Sequence, residues 1–461
     1  MQKNDGVEPG VTSSPVPSGR LERLARLGGL ATTVAGGMLA EGVRQLGQGK
    51  RPKMSDLLLT PTNVRRVADQ LSQLRGAAMK VGQLLSMDAG DLLPPELSQI
   101  LARLRSDASA MPKRQVLSVL TANWGPGWEQ RNFTHFHFTP IAAASIGQVH
   151  EARSQDGRHL AIKVQYPGVR RSIDSDVDNV ATLLQISGLL PRALDIAPLL
   201  REAKQQLHDE ADYLQEGVYL ERYGALLGGS PEFALPTLHA DLTTSSVLAM
   251  SFVGGVPIEE LAHANQNIRN RAVELLVKLL LREIFEFQLV QTDPNFANYR
   301  YDFHTHQLIL LDFGATRPYA SPMVKNFRHL LEAALTGDPV AMTNAAIALN
   351  YFDLKTASHH RESVLSLFTL ACEPLRFHGA YDFGRSDLAL RLRHAGMVLG
   401  RDRDFWHIPP VNLLFLHRKL AGLYLLAARL KAHVNVQKLV HDFLESTRST
   451  VVEPHKASAE R

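Results

Sequence analysis

The sequence contains very little cysteine. Cys372 is the single cysteine among 461 residues, which excludes an internal disulfide and a cysteine-based metal cluster. Charge is nearly balanced, because 50 Lys and Arg stand against 46 Asp and Glu and leave a net charge of +4. Binding to nucleic acid needs a clustered basic surplus, so no nucleic-acid partner is expected. A reducing compartment fits this composition.

Long hydrophobic runs are absent as well. A membrane-spanning helix needs roughly 18 uninterrupted apolar residues. The nearest run, Leu27–Ala40, is short, rich in glycine and polar at its threonines. Residues 1–20 have neither the apolar core of a secretory signal nor the acid-poor composition of a transit peptide. These absences predict a cytoplasmic protein.

Leu27–Ala40 is nevertheless a candidate segment for contact with a membrane. Arg20, Arg23, Arg26 and Arg44 flank it, and an apolar face beside a few cations is typical of a helix that lies in the membrane interface. Peripheral contact with the inner face of the membrane is one interpretation. Packing of this helix against the rest of the protein is the other, and the sequence leaves both open.

The pattern along the chain divides it into four parts, because 461 residues exceed what one hydrophobic core holds. Residues 1–20, rich in Gly, Pro and Ser, are predicted to be a disordered arm, and 21–130 a helical extension. Residues 131–253 form a small mixed lobe, with a hairpin predicted at Asp156-Gly, and 254–461 are mostly helical. The predicted fold class is therefore α+β, with two lobes.

The small lobe contains a lysine in a setting typical of phosphate binding. Leu160-Ala-Ile-Lys163 matches the strand motif whose lysine contacts ATP phosphates in protein kinases. A lysine at an exposed strand edge is common, so this match alone is weak. The segment upstream has the spacing of the kinase glycine-rich loop, with alanine at the first two glycine positions. The loop residues expected at the phosphates are Ala142, Ala143, Ala144, Ser145 and Gly147.

A second set of polar residues lies in the helical part. Asp293 and Asn298 have the spacing of the kinase catalytic loop, and Asp312-Phe-Gly follows an apolar run. Mg²⁺ that bridges ATP phosphates needs hard oxygen donors, so Asp312 and Asn298 are the predicted metal ligands. Asp293 is predicted to orient the attacking hydroxyl or water, and Lys163 and Asp293 are the predicted catalytic pair. An Asp-Phe-Gly triplet often occurs by chance, but both motifs downstream of a strand lysine rarely do.

Lys163 also requires a carboxylate partner on a helix. The charged helix predicted over residues 197–226 offers Glu202, Glu210 and Glu216. The alternative for each is a solvated charged face, which suits Glu202 best. The spacing alone leaves the partner open between the other two.

Together these residues resemble one family, the UbiB/ADCK (ABC1) atypical kinases, and within it the ubiquinone-biosynthesis branch of mitochondrial type. The similarity extends over residues 20–440, nearly the whole chain. The segments that resemble family motifs are Lys80–Gln83 (K-x-G-Q), Ala142–Val149 (the alanine-rich loop), Glu210–Asp212 (E-x-D), Gln291–Asn295 and His417–Gly422.

The resemblance implies a kinase-like fold, ATP and Mg²⁺ as cofactors, and an atypical kinase or ATPase. Glu216 stands where the family has the glutamate that pairs with the strand lysine, so Glu216 is expected to bind Lys163 and to support the nucleotide. The implied process is ubiquinone (coenzyme Q) biosynthesis. The implied partners are lipid intermediates and enzymes of that pathway, and a homodimer is left open.

Lys80 and Gln83 are expected to cover the active site. They lie three residues apart, so a helix would present both to one cleft. A buried lysine needs a carboxylate, and once Glu216 is assigned elsewhere, Glu210 and Asp212 remain for Lys80. The helical extension would then exclude a peptide substrate. The alternative is that Lys80 is a solvated surface residue.

The segment after Asp312 lacks the parts that hold a peptide substrate. No Ala-Pro-Glu follows it, no arginine precedes Asp293, and a helical pattern resumes at Pro322. Three functions remain open. The absences favour an ATPase or small-molecule kinase over a protein kinase, and the complete set of catalytic residues disfavours a scaffold that only binds nucleotide.

Overall fold

The structure, a computed structural model, describes Leu71 and residues 74–88, 110–186, 196–401 and 409–449. The chain divides into two compact units. The first unit is Met1–Glu221 with Pro236–Phe252, and the second unit is Arg222–Leu235 with Val253–Arg461. The predicted disordered arm and the candidate membrane segment Leu27–Ala40 lie outside the described residues.

Helices dominate the described part of both units. Those of the first unit are α1 (Arg75–Asp88), α2 (Lys113–Trp124), α3 (Trp128–Asn132), α4 (Val169–Ile186) and α5 (Ala197–Glu210). The next helix, α6 (Tyr213–Leu227), begins in the first unit and ends in the second. Those of the second unit are α7 (Gln266–Phe285), α8 (Ser321–Thr336), α9 (Pro339–Ala348), α10 (Ser358–Ala371), α11 (Glu373–Arg376), α12 (Leu388–Arg401), α13 (Val411–Arg429) and α14 (Val436–Ser449).

The strands are short apart from a central hairpin. In chain order they are β1 (Phe133–Phe136), β2 (Ala142–Ala143), β3 (Gly147–Ser154), β4 (His159–Gln165), β5 (Phe233–Ala234), β6 (Val247–Ser251), β7 (Val256–Pro257), β8 (Leu289–Gln291), β9 (Tyr299–Tyr301), β10 (Leu308–Leu310), β11 (Thr316–Pro318), β12 (Tyr381–Asp382) and β13 (His433–Val434). Within the described residues, 3₁₀ helices cover Ile258–His263 and Phe296–Asn298.

An antiparallel sheet forms the centre of the first unit. Its strand order is β1-β3-β4-β6, and β2 pairs with β3. The hairpin predicted at Asp156 joins β3 to β4, and Gly157 there has a φ of +88°, which favours glycine. In the register of this sheet Lys163 lies between Val149 on β3 and Leu248 on β6. The phosphate-binding lysine of the prediction is therefore held in the middle of the sheet.

The two faces of β4 have different surroundings. Leu160, Ile162 and Val164 are fully buried and belong to a core that includes Val116 and Leu120 of α2. Because successive side chains of a strand point to opposite faces, Lys163 points away from that core. The alternation of β4 thus fixes the direction of the lysine.

The helix predicted over residues 197–226 is in fact two helices. Ala211 and Asp212 separate α5 from α6. The side chain of Asp212 accepts a hydrogen bond from the backbone amide of Gln215 at 3.2 Å, as an N-cap does. The prediction of one continuous helix was wrong, because the spacing of apolar residues does not reveal a helix cap within a charged segment.

The second unit is built around α7, which packs against α13 and β8. A four-stranded sheet has the order β5-β10-β9-β7, and β8 pairs with β11. The β5–β10 pair is parallel and the other pairs are antiparallel. The chain between β8 and β9, residues 292–298, carries both Asp293 and Asn298 and is called the catalytic loop below. Both ends of this loop are therefore anchored in strands.

One described helix, Val411–Arg429 (α13), is long and apolar enough to cross a membrane by its length and composition. Of its most apolar window, 44% is buried within the protein. The buried residues include Arg418 and Lys419, which interrupt its apolar run. The burial of both cations matches a core helix of this unit better than a lipid-facing one.

Helices and largely antiparallel sheets in each unit give the predicted α+β class. Residues 222–235, which the predicted boundaries assign to the small lobe, belong to the second unit. The boundaries of the four predicted parts stay predictions.

Candidate active site

Lys163 forms a buried ion pair with Glu216 in the first unit. The lysine Nζ lies 2.9 Å from Oε1 and 3.0 Å from Oε2 of the glutamate, and the two side chains are 8% and 1% exposed. The ring of Tyr213 lies 5.1 Å from the same ammonium. Of the candidate glutamates, Glu216 is therefore the partner of Lys163, as the resemblance implied.

Gly217 explains how α6 comes close enough for this pair. A Cβ at Gly217 would lie 3.2 Å from both terminal methyl groups of Leu238. Alanine at this position would require Leu238 to shift by a few tenths of an ångström. The glycine therefore lowers helix propensity but allows the closer packing of the helix that carries Glu216.

The alanine-rich loop is a tight structure fixed by Gly147. Ala142 and Ala143 form β2, and the amide of Ala144 donates to the carbonyl of Gly147 at 2.9 Å. A Cβ at Gly147 would lie 2.3 Å from the carbonyl oxygen of Val164, so only glycine fits there. Ala142 and Ala143 are exposed, while Ala144 is half-buried. The loop thus presents alanine side chains, rather than open backbone, at its surface.

Glu210 joins the alanine-rich loop to α1. One carboxylate oxygen accepts a hydrogen bond from the hydroxyl of Ser145 at 2.6 Å, and the other forms an ion pair with Lys80. Lys80 is only 2% exposed, so the alternative of a solvated lysine is wrong. α1 also approaches the loop at Gly76, where a Cβ would lie 2.5 Å from the carbonyl oxygen of Ser145. The predicted pairing of Lys80 with Glu210 is present.

Asp212 has a different position from the one predicted. Its side chain is 41% exposed, caps α6 and lies 3.8 Å from Arg170. The side chain of Gln83, the other predicted cover residue, is outside the described part of the chain. A role for Gln83, and the covering of the active site by α1, stay predictions.

Asn298 and Asp312 line one small cavity in the second unit. Asn298 is 8% exposed, and the carboxylate of Asp312 accepts a hydrogen bond from the amide of Gly314 at 2.9 Å. The amide of Leu311 donates to the carbonyl of Asn298 at 3.0 Å, which holds the two segments together. Asp293 is half-buried at the start of the catalytic loop, where it accepts a hydrogen bond from the amide of Asn295 at 3.3 Å.

This donor set fits Mg²⁺. A carboxylate and an amide oxygen are hard ligands, and Mg²⁺ is commonly held by one or two protein groups with phosphates and waters completing the shell. The buried amide nitrogen of Asn298 has no hydrogen-bond partner within the described residues. No hydrogen bond to this nitrogen therefore prevents the side chain of Asn298 from turning its oxygen toward the cavity. Over the same residues no group of three or more His, Cys, Asp or Glu side chains could hold a metal alone.

The segment that follows Asp312 is short. Strand β11 pairs with β8 immediately after it, and α8 begins at Ser321, next to the predicted restart at Pro322. The short segment that the sequence predicts after Asp312 is confirmed, and its inability to hold a peptide stays a prediction.

Sequence reasoning missed two charged residues at the same cavity. Its lining also includes Glu283 of α7 and Lys419 of α13, both buried. Glu283 stands in an apolar helical stretch without a motif. Lys419 belongs to the His417–Gly422 segment, which resembles the family but was interpreted as structural only. The feature that identifies these two residues is the burial of two opposite charges, and the sequence does not show it.

Comparisons with known proteins agree with these motifs. The ABC1 atypical kinase-like domain matches residues 103–346. The chain is 38% identical to the mitochondrial atypical kinase COQ8B of Rattus norvegicus, over 93% of this chain and 81% of that protein. It is 37% identical to the mitochondrial atypical kinase COQ8 of Saccharomyces cerevisiae, over 93% and 85%.

A solved structure is similar in fold. The complex of Rv3197 with erythromycin from Mycobacterium tuberculosis superposes with a TM-score of 0.56 and 23% identity, over 82% of this chain and 96% of that one. At this identity the likeness concerns the fold alone.

Proposed function

The chain belongs to the ABC1 atypical kinase-like family, and we propose that it uses ATP and Mg²⁺ for phosphoryl transfer in support of ubiquinone biosynthesis. The resemblance to the UbiB/ADCK family and its mitochondrial branch is confirmed by the matched domain and the two COQ8-type relatives. The pathway is supported by that resemblance and by the names of the relatives, not by the geometry.

The observation that carries the proposal is the Lys163–Glu216 ion pair, together with Asn298 and Asp312 at one cavity. In phosphoryl transfer a lysine contacts the phosphates and an aspartate and an asparagine hold the metal. Mg²⁺, when bound, would neutralise the charge on the phosphate oxygens. Lys163 has the first role, fixed by Glu216 in one direction, and Asp312 and Asn298 have the second.

Asp293 is assigned the role of orienting the phosphoryl acceptor. Its carboxylate lies at the start of the catalytic loop and is accessible to a hydroxyl or water. It would accept the proton of that group as the new bond to the terminal phosphorus of ATP forms and the bond to the leaving ADP breaks. The short segment between Gly314 and Ser321 offers no platform for a peptide. We therefore propose water or a small lipid intermediate as the acceptor, with pathway enzymes as partners rather than phosphorylated substrates.

The test is ATP turnover by the purified protein and its Asp312→Asn variant. An amide cannot supply the charge that holds the ion, so turnover should fall on the order of 100-fold or more. Asp442→Asn is the matched control, because Asp442 is an exposed residue on α14. Its turnover should equal that of the wild type. Equal turnover in the Asp312 variant would contradict the proposed site.

The same assay separates the remaining functions. Turnover that rises with anionic lipid or with a phenolic ubiquinone-precursor mimic supports the lipid-directed activity. Phosphate transfer to a generic protein substrate would instead indicate a protein kinase. Nucleotide binding without any turnover under these conditions would indicate a scaffold.

A further inference from the structure

A buried cation supports the catalytic loop from another helix. The ammonium of Lys419 on α13 donates to the side-chain oxygen of Gln291 at 3.1 Å and to the hydroxyl of Tyr299 at 2.8 Å. It also lies 3.4 Å from the carboxylate of Glu283. Gln291 is the last residue of β8 and Tyr299 the first of β9. The lysine therefore holds both ends of the catalytic loop, residues 292–298.

Glu283 connects the same lysine to the backbone of β8. Its Oε1 atom lies 2.8 Å from the hydroxyl of Tyr223 and accepts a hydrogen bond from the backbone amide of Gln291 at 3.3 Å. Its Oε2 atom is the one nearest Lys419. A single carboxylate thus contacts the ammonium, a tyrosine and the strand that enters the loop.

A third contact lies in the middle of the loop. Gly422, one turn beyond Lys419 on α13, approaches Pro294 so closely that a Cβ would lie 2.4 Å from the proline Cβ. Pro294 immediately follows Asp293. Helix α13 therefore contacts both residues that flank the loop and Pro294 within it.

The charges of this network are held away from water. Lys419 and Glu283 are 7% and 1% exposed at their side chains. Burial alone would lower the pKa of Lys419, but the Glu283 carboxylate and the Tyr299 hydroxyl together outweigh burial and raise that pKa. The lysine therefore stays protonated, and it donates hydrogen bonds to the two residues that flank the loop, Gln291 and Tyr299.

We propose that Lys419 and Glu283 are positioning residues that hold the catalytic loop in the geometry that phosphoryl transfer requires. Peptide-phosphorylating kinases have an arginine directly before the catalytic aspartate, whereas here Thr292 occupies that place. Lys419 supplies a buried cation to this loop from α13 instead. The inference rests on the proposed function, because positioning has meaning only if Asp293 and Asn298 take part in catalysis.

The experiment compares Lys419→Met, Glu283→Gln and the double variant by thermal unfolding and by ATP turnover. Each single variant leaves one buried polar or charged group without its partner, so each should lower the unfolding temperature. In Lys419→Met, kcat should fall on the order of 100-fold through misplacement of the loop, with little change in KM for ATP. The apparent affinity for Mg²⁺ should also fall, because Asn298 ends the loop.

The double variant distinguishes positioning from stability. Removing both charges restores neutrality in the interior, so the unfolding temperature should return toward that of the wild type. The value of kcat should stay low, because neither the new methionine nor the new glutamine can replace the hydrogen bonds of Lys419 to Gln291 and Tyr299. Recovery of kcat together with the unfolding temperature would overturn the proposal, since it would show a merely structural pair.

Two further variants keep the result interpretable. Tyr299→Phe removes one acceptor of Lys419 and should lower kcat roughly 10-fold, even if Lys419→Met does not fold. Lys438→Met is the matched control, since Lys438 forms an exposed pair with Asp442 on α14. Wild-type kcat in Tyr299→Phe and Lys419→Met would overturn the proposal. Unchanged turnover in Asp312→Asn would instead remove the proposed function on which it rests.

Discussion

Both units bury lysine–glutamate pairs, but the pairs are connected differently. In the first unit Lys163 binds both oxygens of Glu216 and so joins one strand to one helix. In the second unit the ammonium of Lys419 contacts a glutamate, a glutamine and a tyrosine. The glutamate, Glu283, also accepts a hydrogen bond from the hydroxyl of Tyr223. The first arrangement aims one ammonium in a fixed direction. The second fixes a loop at both of its ends.

This difference explains why the Lys163 pair was predictable and the Lys419 pair was not. A lysine that contacts a ligand must keep a fixed place in its strand motif, so Lys163 is visible in the sequence. A lysine that supports a loop through packing has no fixed spacing from the loop, and Lys419 lies 128 residues from Gln291. Removing the lysine of each pair should therefore have different consequences.

The largest effect is expected for Lys163→Met. The change removes the proposed phosphate contact and the buried cation that pairs with Glu216. ATP turnover should fall on the order of 100-fold, and the free energy of unfolding should fall by about 3 kcal/mol. Steady-state kinetics and chemical denaturation measure the two effects. Lys204→Met, at a partly exposed pair with Asp178 in the same unit, is the control. Wild-type turnover in Lys163→Met would rule out a role for this lysine in catalysis.

A smaller effect on ATP turnover is expected for Lys80→Met. Glu210 would keep its bond to Ser145 but lose its buried cation, which should lower the free energy of unfolding by about 3 kcal/mol. Turnover should change as well, because the alanine-rich loop shares that carboxylate. Denaturation and kinetics again provide the measurement. A variant with wild-type stability and wild-type turnover would show that the pair has no role.

The smallest effect concerns pH and a buried histidine of the first unit. Burial lowers the pKa of His150 to about 4 from its usual 6.5. One ring nitrogen lies 2.8 Å from the carbonyl of His137, and the other lies 2.8 Å from the amide nitrogen of Gln148, an arrangement that suits a neutral ring. The unfolded chain binds the proton more readily than the folded one, so stability is complete above pH 6.5 and falls as the pH drops toward 4.

Between pH 7 and pH 5 this histidine should reduce the free energy of unfolding by about 2 kcal/mol. Denaturation curves at the two pH values provide the measurement. Burial also lowers the pKa of His417, in the second unit, to about 4, so His150→Gln should remove only part of the pH dependence. An unchanged pH dependence in that variant would show that His150 is not the titrating group.

Local pattern predicted much of the fold and of the site. The hairpin at Asp156 and the strand that carries Lys163 follow from residue pattern and turn chemistry, which act over a few residues. The break between α5 and α6 was missed, because a single aspartate cap decides it. Glu283 and Lys419 were missed because only tertiary packing brings two buried charges together across 136 positions.

Nucleotide binding with and without Mg²⁺ tests the central claim most directly. Calorimetric titration of ADP into the purified wild type should show an affinity at least about 10-fold higher with Mg²⁺ than with a chelator. Asp312→Asn should lose this difference, and Asp442→Asn should keep it. Equal affinity with and without Mg²⁺ in the wild type, or an undiminished Mg²⁺ effect in Asp312→Asn, would contradict the account.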